Sequence, residues 1–257
     1  MSSLITRYRN LSIPLKLIVI NVAILLIIHI VAFTTSIIGT RLDIAAMFLD
    51  LPSGLGFLLR PWAAITYMFT HTDIMHCLFN MLWLYWFGRL CEDLSTPRHT
   101  VILYITGGIG GALAFITASL IWPYNIGGYL EGASAAVMAI VAWVACTSPD
   151  MKLNLLFLGS VKIKWIALAT IVIFALGLTG SNAGAHVAHL GGIAVGVSAA
   201  LIKRLRRPRY NHMSTKQLND LDARAELDRL LDKVRRSGYN SLTAMERKRL
   251  IDLSHKV

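Results

Sequence analysis

Asp, Glu, Lys and Arg together make up only 15% of this chain, and they leave long stretches of it untouched. An ordinary soluble domain carries about 25% charged residues, so this scarcity, with 55% apolar residues and a mean hydropathy of +0.59, excludes that class. Cysteine is scarce too. Cys77, Cys91 and Cys146 are scattered, two of them in or beside apolar stretches, which suits small buried residues and excludes a disulfide framework. The zinc-protease pattern HExxH is missing. No signal peptide is evident, because the first apolar run is too long for a leader core and no small-residue cleavage site follows it; it is expected to be a retained span.

What fills the space is uncharged sequence. Leu17–Ile38 runs for 22 residues and Thr100–Trp122 for 23 without an ionised side chain, and a helix needs about 20 to cross a bilayer. Trp165–Ile202 runs for 38, broken by the turn-like Gly180-Ser-Asn-Ala-Gly184, and reads as two spans. Ile74–Gly88 and Gly132–Thr147 are shorter and reach spanning length with their weakly polar flanks. The pattern predicts an all-α, polytopic membrane protein with six spans near 17–38, 71–89, 100–122, 132–148, 165–180 and 184–202.

The few basic residues are distributed unevenly. With six spans both termini share one side, and that side receives 23 of the 25 Lys and Arg; the other receives only Arg41 and Arg60. Cytoplasmic loops carry such an excess, so both termini are expected in the cytoplasm, in a multi-pass cell-membrane protein such as one of a bacterial inner membrane. The net charge of +11 is then mostly topology and gives no support to nucleic-acid binding. The chain divides into a cytoplasmic N-terminal segment (1–16), a six-helix core (17–204) and a basic cytoplasmic tail (205–257).

Two connecting regions have a character of their own. Gly39–Thr70 holds too much Leu, Phe and Trp for a solvated loop and too much Gly, Pro and Asp for a span. It is expected to lie in the membrane interface, with Trp62 and Tyr67 at headgroup level. In the tail, Ser214-Thr-Lys-Gln217 is a capping-box pattern opening an amphipathic stretch that ends near Arg236, with Gly238 as its stop. Thr243-Ala-Met-Glu246 is a second such box, before a short helix. Lys203–Arg209 reads as the charged stop after the last span. The tail is a helical pair that could skim anionic lipid, meet an unknown partner, or stay solvated.

Ionisable residues at membrane depth are rare and usually functional. The set here is His71, His76 and Asn80 in the second span, Ser134 in the fourth, and His186 and His189 in the sixth; His29, alone in the first, reads as structural. Spans 2, 4 and 6 all start on the outer side. At 1.5 Å per residue His76, Asn80, Ser134 and His189 lie roughly 3–14 Å below the outer mouth, so three separate segments deliver polar groups to one layer. A serine hydroxyl becomes a nucleophile when a neutral imidazole takes its proton. Ser134 at a helix start also brings unpaired backbone N–H groups to any oxyanion formed there. His76 and Asn80, four residues apart, share a helix face and can add donors. Asp73 and Glu131 sit at helix mouths and no carboxylate is at depth, so a Ser134–His189 dyad is the natural reading. It requires two spans nearly touching, and Gly192-Ile-Ala-Val-Gly196 is a small-residue stripe suited to that, with Gly132, Ala135 and Ala136 around the serine. Gly107–Gly111 carries no reactive residue and reads as packing.

PWAAITYMFTHTDIMHCLFNMLWLYWFGRLCED (61–93), EGASAAVMAI (131–140) and AHVAHLGGIAVG (185–196) together resemble the rhomboid intramembrane serine proteases, in the family's order and spacing, over about residues 10–205. The resemblance implies a six-helix core with an interfacial first loop, no cofactor or metal, and cleavage of other proteins' transmembrane helices near their outer ends. It places the family's serine on Ser134, its histidine on His189, and its oxyanion donors on His76 and Asn80 with the Ser134 amide and Gly132 in support. His71 falls on a further family histidine, structural or water-positioning, and His186 is a supporting residue near the mouth. Three departures stand out: Ala135 follows the serine where the family most often has glycine, Ala63 replaces an arginine after the loop tryptophan, and Met138 stands where some members pack a tyrosine on the histidine. Two other readings remain beside this one: a proteolytically inactive rhomboid-like binder of transmembrane clients, and a metal or haem protein using His71, His76, His186 and His189 as ligands.

Overall fold

The computed structural model describes residues 2–40, 42–155, 159–180, 182–206 and 215–254. Arg41, Ser181, Arg207, Arg209 and Ser214, which belong to features named above, lie outside the described residues. In chain order the elements are α1 (Ser2–Arg9), α2 (Ile13–Ile37), the short strand β1 (Leu51–Pro52), α3 (Ala63–Thr66), α4 (Ile74–Leu94), α5 (Pro97–Ile121), β2 (Tyr129–Leu130), α6 (Ser134–Thr147), the hairpin β3 (Lys152–Leu155) and β4 (Gly159–Lys162), α7 (Ile163–Leu176), α8 (Ala183–Arg206), α9 (Thr215–Ser237) and α10 (Ala244–Ser254). Two compact units contain them, the first ending at Arg206 and the second holding α9 and α10.

A helix stands in each of the six expected intervals. Three are long and apolar enough to cross a membrane: α2, α5 and α8. α4 runs on past the uncharged stretch to include Arg89, Glu92 and Asp93. α6 and α7 have 14 residues each, about 21 Å at 1.5 Å per residue against a hydrocarbon thickness of about 30 Å. The chain reaches Ser134, the first residue of α6, through non-helical backbone.

α6 is the centre of the first unit. Eleven of its residues, Ala135 to Ala145, are buried, and α4, α5 and α8 surround it. Small residues make this possible. A Cβ on Gly192 or Gly196 of α8 would strike the carbonyl oxygens of Ala135 and Ala139, and one on Gly107 or Gly111 of α5 would strike the Cβ atoms of Ala139 and Ala135. The backbones of three helices therefore meet with almost nothing between them, the close approach that small-xxx-small stripes allow in lipid.

The segment between α2 and α4 is folded. A π-helical turn (Ala45–Leu49) and two 3₁₀ turns (Gly54–Leu59, Tyr67–Phe69) flank β1 and α3. Leu55, Leu58, Leu59 and Trp62 are exposed on it, an apolar surface suited to an interface. The expected headgroup position of Tyr67 is corrected: it is 1% exposed, and its hydroxyl donates to the Gly108 carbonyl at 2.6 Å. A phenol can be buried when its O–H has a partner, and the glycine-rich face of α5 presents a bare carbonyl to it. Tyr104 does the reverse, donating from α5 to the Met68 carbonyl at 2.9 Å. The loop is held to itself by Arg60, whose Nη1 donates to the carbonyls of Ala46 and Met47, by Trp62 Nε1 to Phe48 O, and by Thr66 Oγ1 to Leu49 O. Arg60 thus anchors the loop, while Ala63 is buried.

In the second unit Gly238 ends α9 at φ +80°, a left-handed turn suited to glycine. Thr243 and Glu246 close a reciprocal box, Thr243 N donating to Glu246 Oε2 at 2.8 Å and Glu246 N to Thr243 Oγ1 at 3.2 Å. Leu230, Leu242 and Leu253 form its small core.

Candidate active site

The N-terminal ends of α4, α6 and α8 meet around one cleft. It has a volume of about 290 Å³ and is lined by His76, Asn80, Ser134, Met138, Phe174 and His189 among others. Ser134 is the first residue of α6, so the leading N–H groups of that helix have no intrahelical acceptor. His189 stands two turns into α8, and its Nε2 lies 2.6 Å from Ser134 Oγ. That is hydrogen-bond reach for a nucleophile and its base. The approach of α8 to α6 through Gly192 and Gly196 brings the two side chains together, because both glycines follow His189 on one helical stripe.

Around this pair the histidine is held by rings. Among the described residues His189 Nδ1 has no hydrogen-bond partner. The ring of Phe174, from α7, lies 4.2 Å from the imidazole centroid, and His186 meets it edge-on at 5.8 Å. Phe174 is a residue that sequence reasoning missed. Met138, where some family members have a packing tyrosine, only lines the cleft, and the aromatic support comes from another helix. No periodicity could have flagged one phenylalanine in a run as apolar as α7. His186 is also wedged against α7, its ring filling the space a Cβ on Gly177 would take.

On the other side, Gly132 adopts φ +106°, and a Cβ there would sit 2.6 Å from His76 Cε1. Glycine is required twice over, by backbone conformation and by the imidazole lying on it. His76 and Asn80 both reach the cleft from α4, whose start is capped by Asp73 Oδ1 accepting from His76 N at 2.6 Å. Asn80 is more engaged than expected: its Nδ2 donates to the His76 carbonyl at 3.0 Å and to His71 Nε2 at 3.3 Å. His71 is fully buried, and its Nε2 accepts from Ala133 N at 3.2 Å as well. It therefore ties α4 to the residue preceding the serine. The same histidines do not form a ligand set: among the described residues, no three His, Cys, Asp or Glu side chains are grouped to hold a metal ion.

The structure thus brings together all the polar residues singled out in three separate sequence stretches. Comparison with known proteins adds the decisive observation. Residues 59–206, more than half of the chain, match the model of the rhomboid domain. The chain belongs to the rhomboid family.

This rhomboid is a helical membrane protein of a family of intramembrane serine proteases. It is 31% identical over 161 residues to RHOMBOID-like protein 12, mitochondrial, of Arabidopsis thaliana, covering 57% of this chain and 47% of that protein. Rhomboid protease GlpG of Yersinia pestis is 27% identical over 162 residues, 62% of this chain and 54% of the relative. Presenilin-associated rhomboid-like protein A, mitochondrial, of Danio rerio is 30% identical over 151 residues, 54% and 38%. The rhomboid chain spans about half the length of the curated relatives it matches, or less. Residues 216–256 match a separate family of unknown function, DUF6576.

Proposed function

We propose that this rhomboid is an active intramembrane serine endopeptidase that cleaves transmembrane helices of other proteins with a Ser134–His189 dyad. The 2.6 Å approach of His189 Nε2 to Ser134 Oγ carries the reading. His189 takes the hydroxyl proton as Oγ attacks the scissile carbonyl carbon. The resulting oxyanion is met by the Ser134 backbone amide, His76 and Asn80, the last releasing one of its two present acceptors. His189 then gives the proton to the departing amine, and water, entering at the mouth, hydrolyses the acyl-enzyme by the same route in reverse. With no carboxylate on Nδ1, packing by Phe174 and His186 does the orienting.

The membrane setting belongs to the same proposal. Six helices, α2 and α4 to α8, span the bilayer, both termini lie in the cytoplasm, and the mouth faces the opposite side. The short α6 then sets Ser134 below the surface, where non-helical backbone is tolerated because it lines a water-accessible cleft. A substrate helix must unwind locally to offer its carbonyl, which favours small residues near the scissile bond.

The test is cleavage of a generic transmembrane substrate by purified, reconstituted protein. Ser134→Ala and His189→Ala are each expected to lose activity by about 10³-fold or more with unchanged thermal unfolding. Undiminished cleavage by Ser134→Ala sinks the proposal, and an inactive wild type across varied substrates favours the client-binding alternative.

A further inference from the structure

The strand bridge that leads into the serine ends in two carboxyl groups. β1 and β2 run antiparallel with Leu51 opposite Leu130 and Pro52 opposite Tyr129, and the residues adjoining that pairing are Asp50 and Glu131. Glu131 acts on Asp50 as a like charge, and like charges side by side repel. Asp50 is 5% exposed, and among the described residues its Oδ1 has no hydrogen-bond partner. Glu131 Oε1 accepts from Thr72 Oγ1 at 2.6 Å, but its Oε2 is buried and also without a partner among the described residues.

The surrounding charges do not resolve this. Asp43, on the turn before, adds negative charge, and among the described residues Arg60 is the one cation acting on Asp50. Arg60 Nη1 is engaged by the carbonyls of Ala46 and Met47, and its guanidinium lies over the Tyr129 ring. Two ionised carboxylates would therefore leave two buried acceptors unsatisfied and repelling. One proton removes both defects, because a protonated carboxyl becomes a donor to its neighbour. Burial, then Glu131 and Asp43, push the Asp50 carboxyl up to about 7.

We propose that Asp50 keeps its carboxyl proton beside Glu131, and that this acid pair is a positioning device fixing the strand that delivers Gly132 and Ser134 to the cleft. The inference rests on the reading of Ser134 as the nucleophile. Glu131 is joined directly to Gly132, whose N–H donates to Tyr67 O at 2.9 Å and whose backbone supports His76. Loss of the proton sets two like charges against each other across β1 and β2, and the strain falls on that junction. The folded chain binds the proton more tightly than the unfolded one, so stability is highest on the acid side. It declines as pH rises from about 4 to about 7 and levels off above. A dyad that needs a neutral imidazole supplies only an acid limb to the pH profile; the pair supplies an alkaline one.

Thermal unfolding in nanodiscs is measured from about pH 5 to about pH 8 for the Ser134→Ala protein with and without Asp50→Asn, and cleavage over the same range in the Ser134 background. An asparagine donates to Glu131 at every pH. The expected result is a midpoint that falls with pH when Asp50 is present and stays level with Asn, a three- to tenfold alkaline loss of cleavage that Asp50→Asn removes, and a loss at all pH values for Asp50→Ala. Difference infrared spectra should show a carboxylic-acid carbonyl band that Asp50→Asn abolishes. Parallel unfolding curves with and without Asp50→Asn overturn the proposal, as does a divalent cation that restores stability at the alkaline end, which would make the pair a metal site. Because unfolding is read on an inactive protein, the acid pair can fail or hold whatever becomes of the protease reading.

Discussion

α6 and α7 are the same length, both strongly apolar, and both line the cleft at Ser134. α6 buries eleven of its fourteen residues; α7 buries one, Ile163. The difference lies in side-chain size. α6 presents Ala135, Ala136 and Ala139 to glycines on two neighbours, so its position is set by backbone against backbone. α7 leaves Trp165, Leu168, Ile173 and Leu176 exposed, lines the cleft with Thr170, Ile173 and Phe174, and meets the His189 ring through Phe174. Apolar residues left exposed by the protein are at no disadvantage against lipid, which is as apolar as leucine. One wall of the cleft is therefore fixed by steric exclusion. The other buries a single residue, and in the proposed six-span arrangement its exposed face meets lipid.

The comparison is broken most severely from the α6 side. Gly196→Leu puts a branched side chain where a single Cβ already meets the Ala139 carbonyl. α8 must move away from α6, and His189 moves with it. We expect cleavage to fall by more than 100-fold, since misplacement by about 1 Å can cost 10² in rate, together with a lowered unfolding temperature from overpacking of about 1–3 kcal/mol. A variant with normal stability and activity would show that the two backbones can separate without disturbing the dyad.

How much of this was legible in the sequence follows from the same contrast. Ser134, His189, His76 and Asn80 stand out because polar side chains in apolar runs demand a reason, and the glycines stand out because they recur at helical spacing. The helix positions could be read from the spacing of charge. Phe174 could not be read, since an apolar residue in an apolar span carries no mark of what it faces. Tyr67 was misplaced because an amphipathic ring suits an interface as well as a buried carbonyl, and only the bare face of α5 decides between them. Asp50 was invisible because its partner, Glu131, becomes its neighbour only through the two-residue pairing of β1 with β2.

Phe174→Ala sharpens the comparison from the α7 side. The His189 imidazole loses the tilted ring 4.2 Å away and, with no partner on Nδ1 among the described residues, gains freedom to turn. Cleavage should drop about tenfold through kcat, less than a missing donor would cost. The unfolding temperature should change little, because the helix bearing it has almost nothing else buried. Phe174→Leu, which keeps bulk without the ring, should recover part of the loss. A large fall in stability would mean that α7 is as firmly fixed as α6.

The smallest effect is expected at Leu176→Ala. Leu176 is the last residue of α7, 74% exposed, and is not among the residues lining the cleft. In water, truncating an exposed leucine changes stability by about 0.5 kcal/mol or less, and against lipid the exchange is between like media. Cleavage and unfolding in nanodiscs should both match the wild type. The same truncation on α6, at Val141, removes methyl groups from a site 2% exposed and should destabilise by about 1–3 kcal/mol through the cavity left behind. Equal effects at the two positions would mean that α7 is packed as closely as α6.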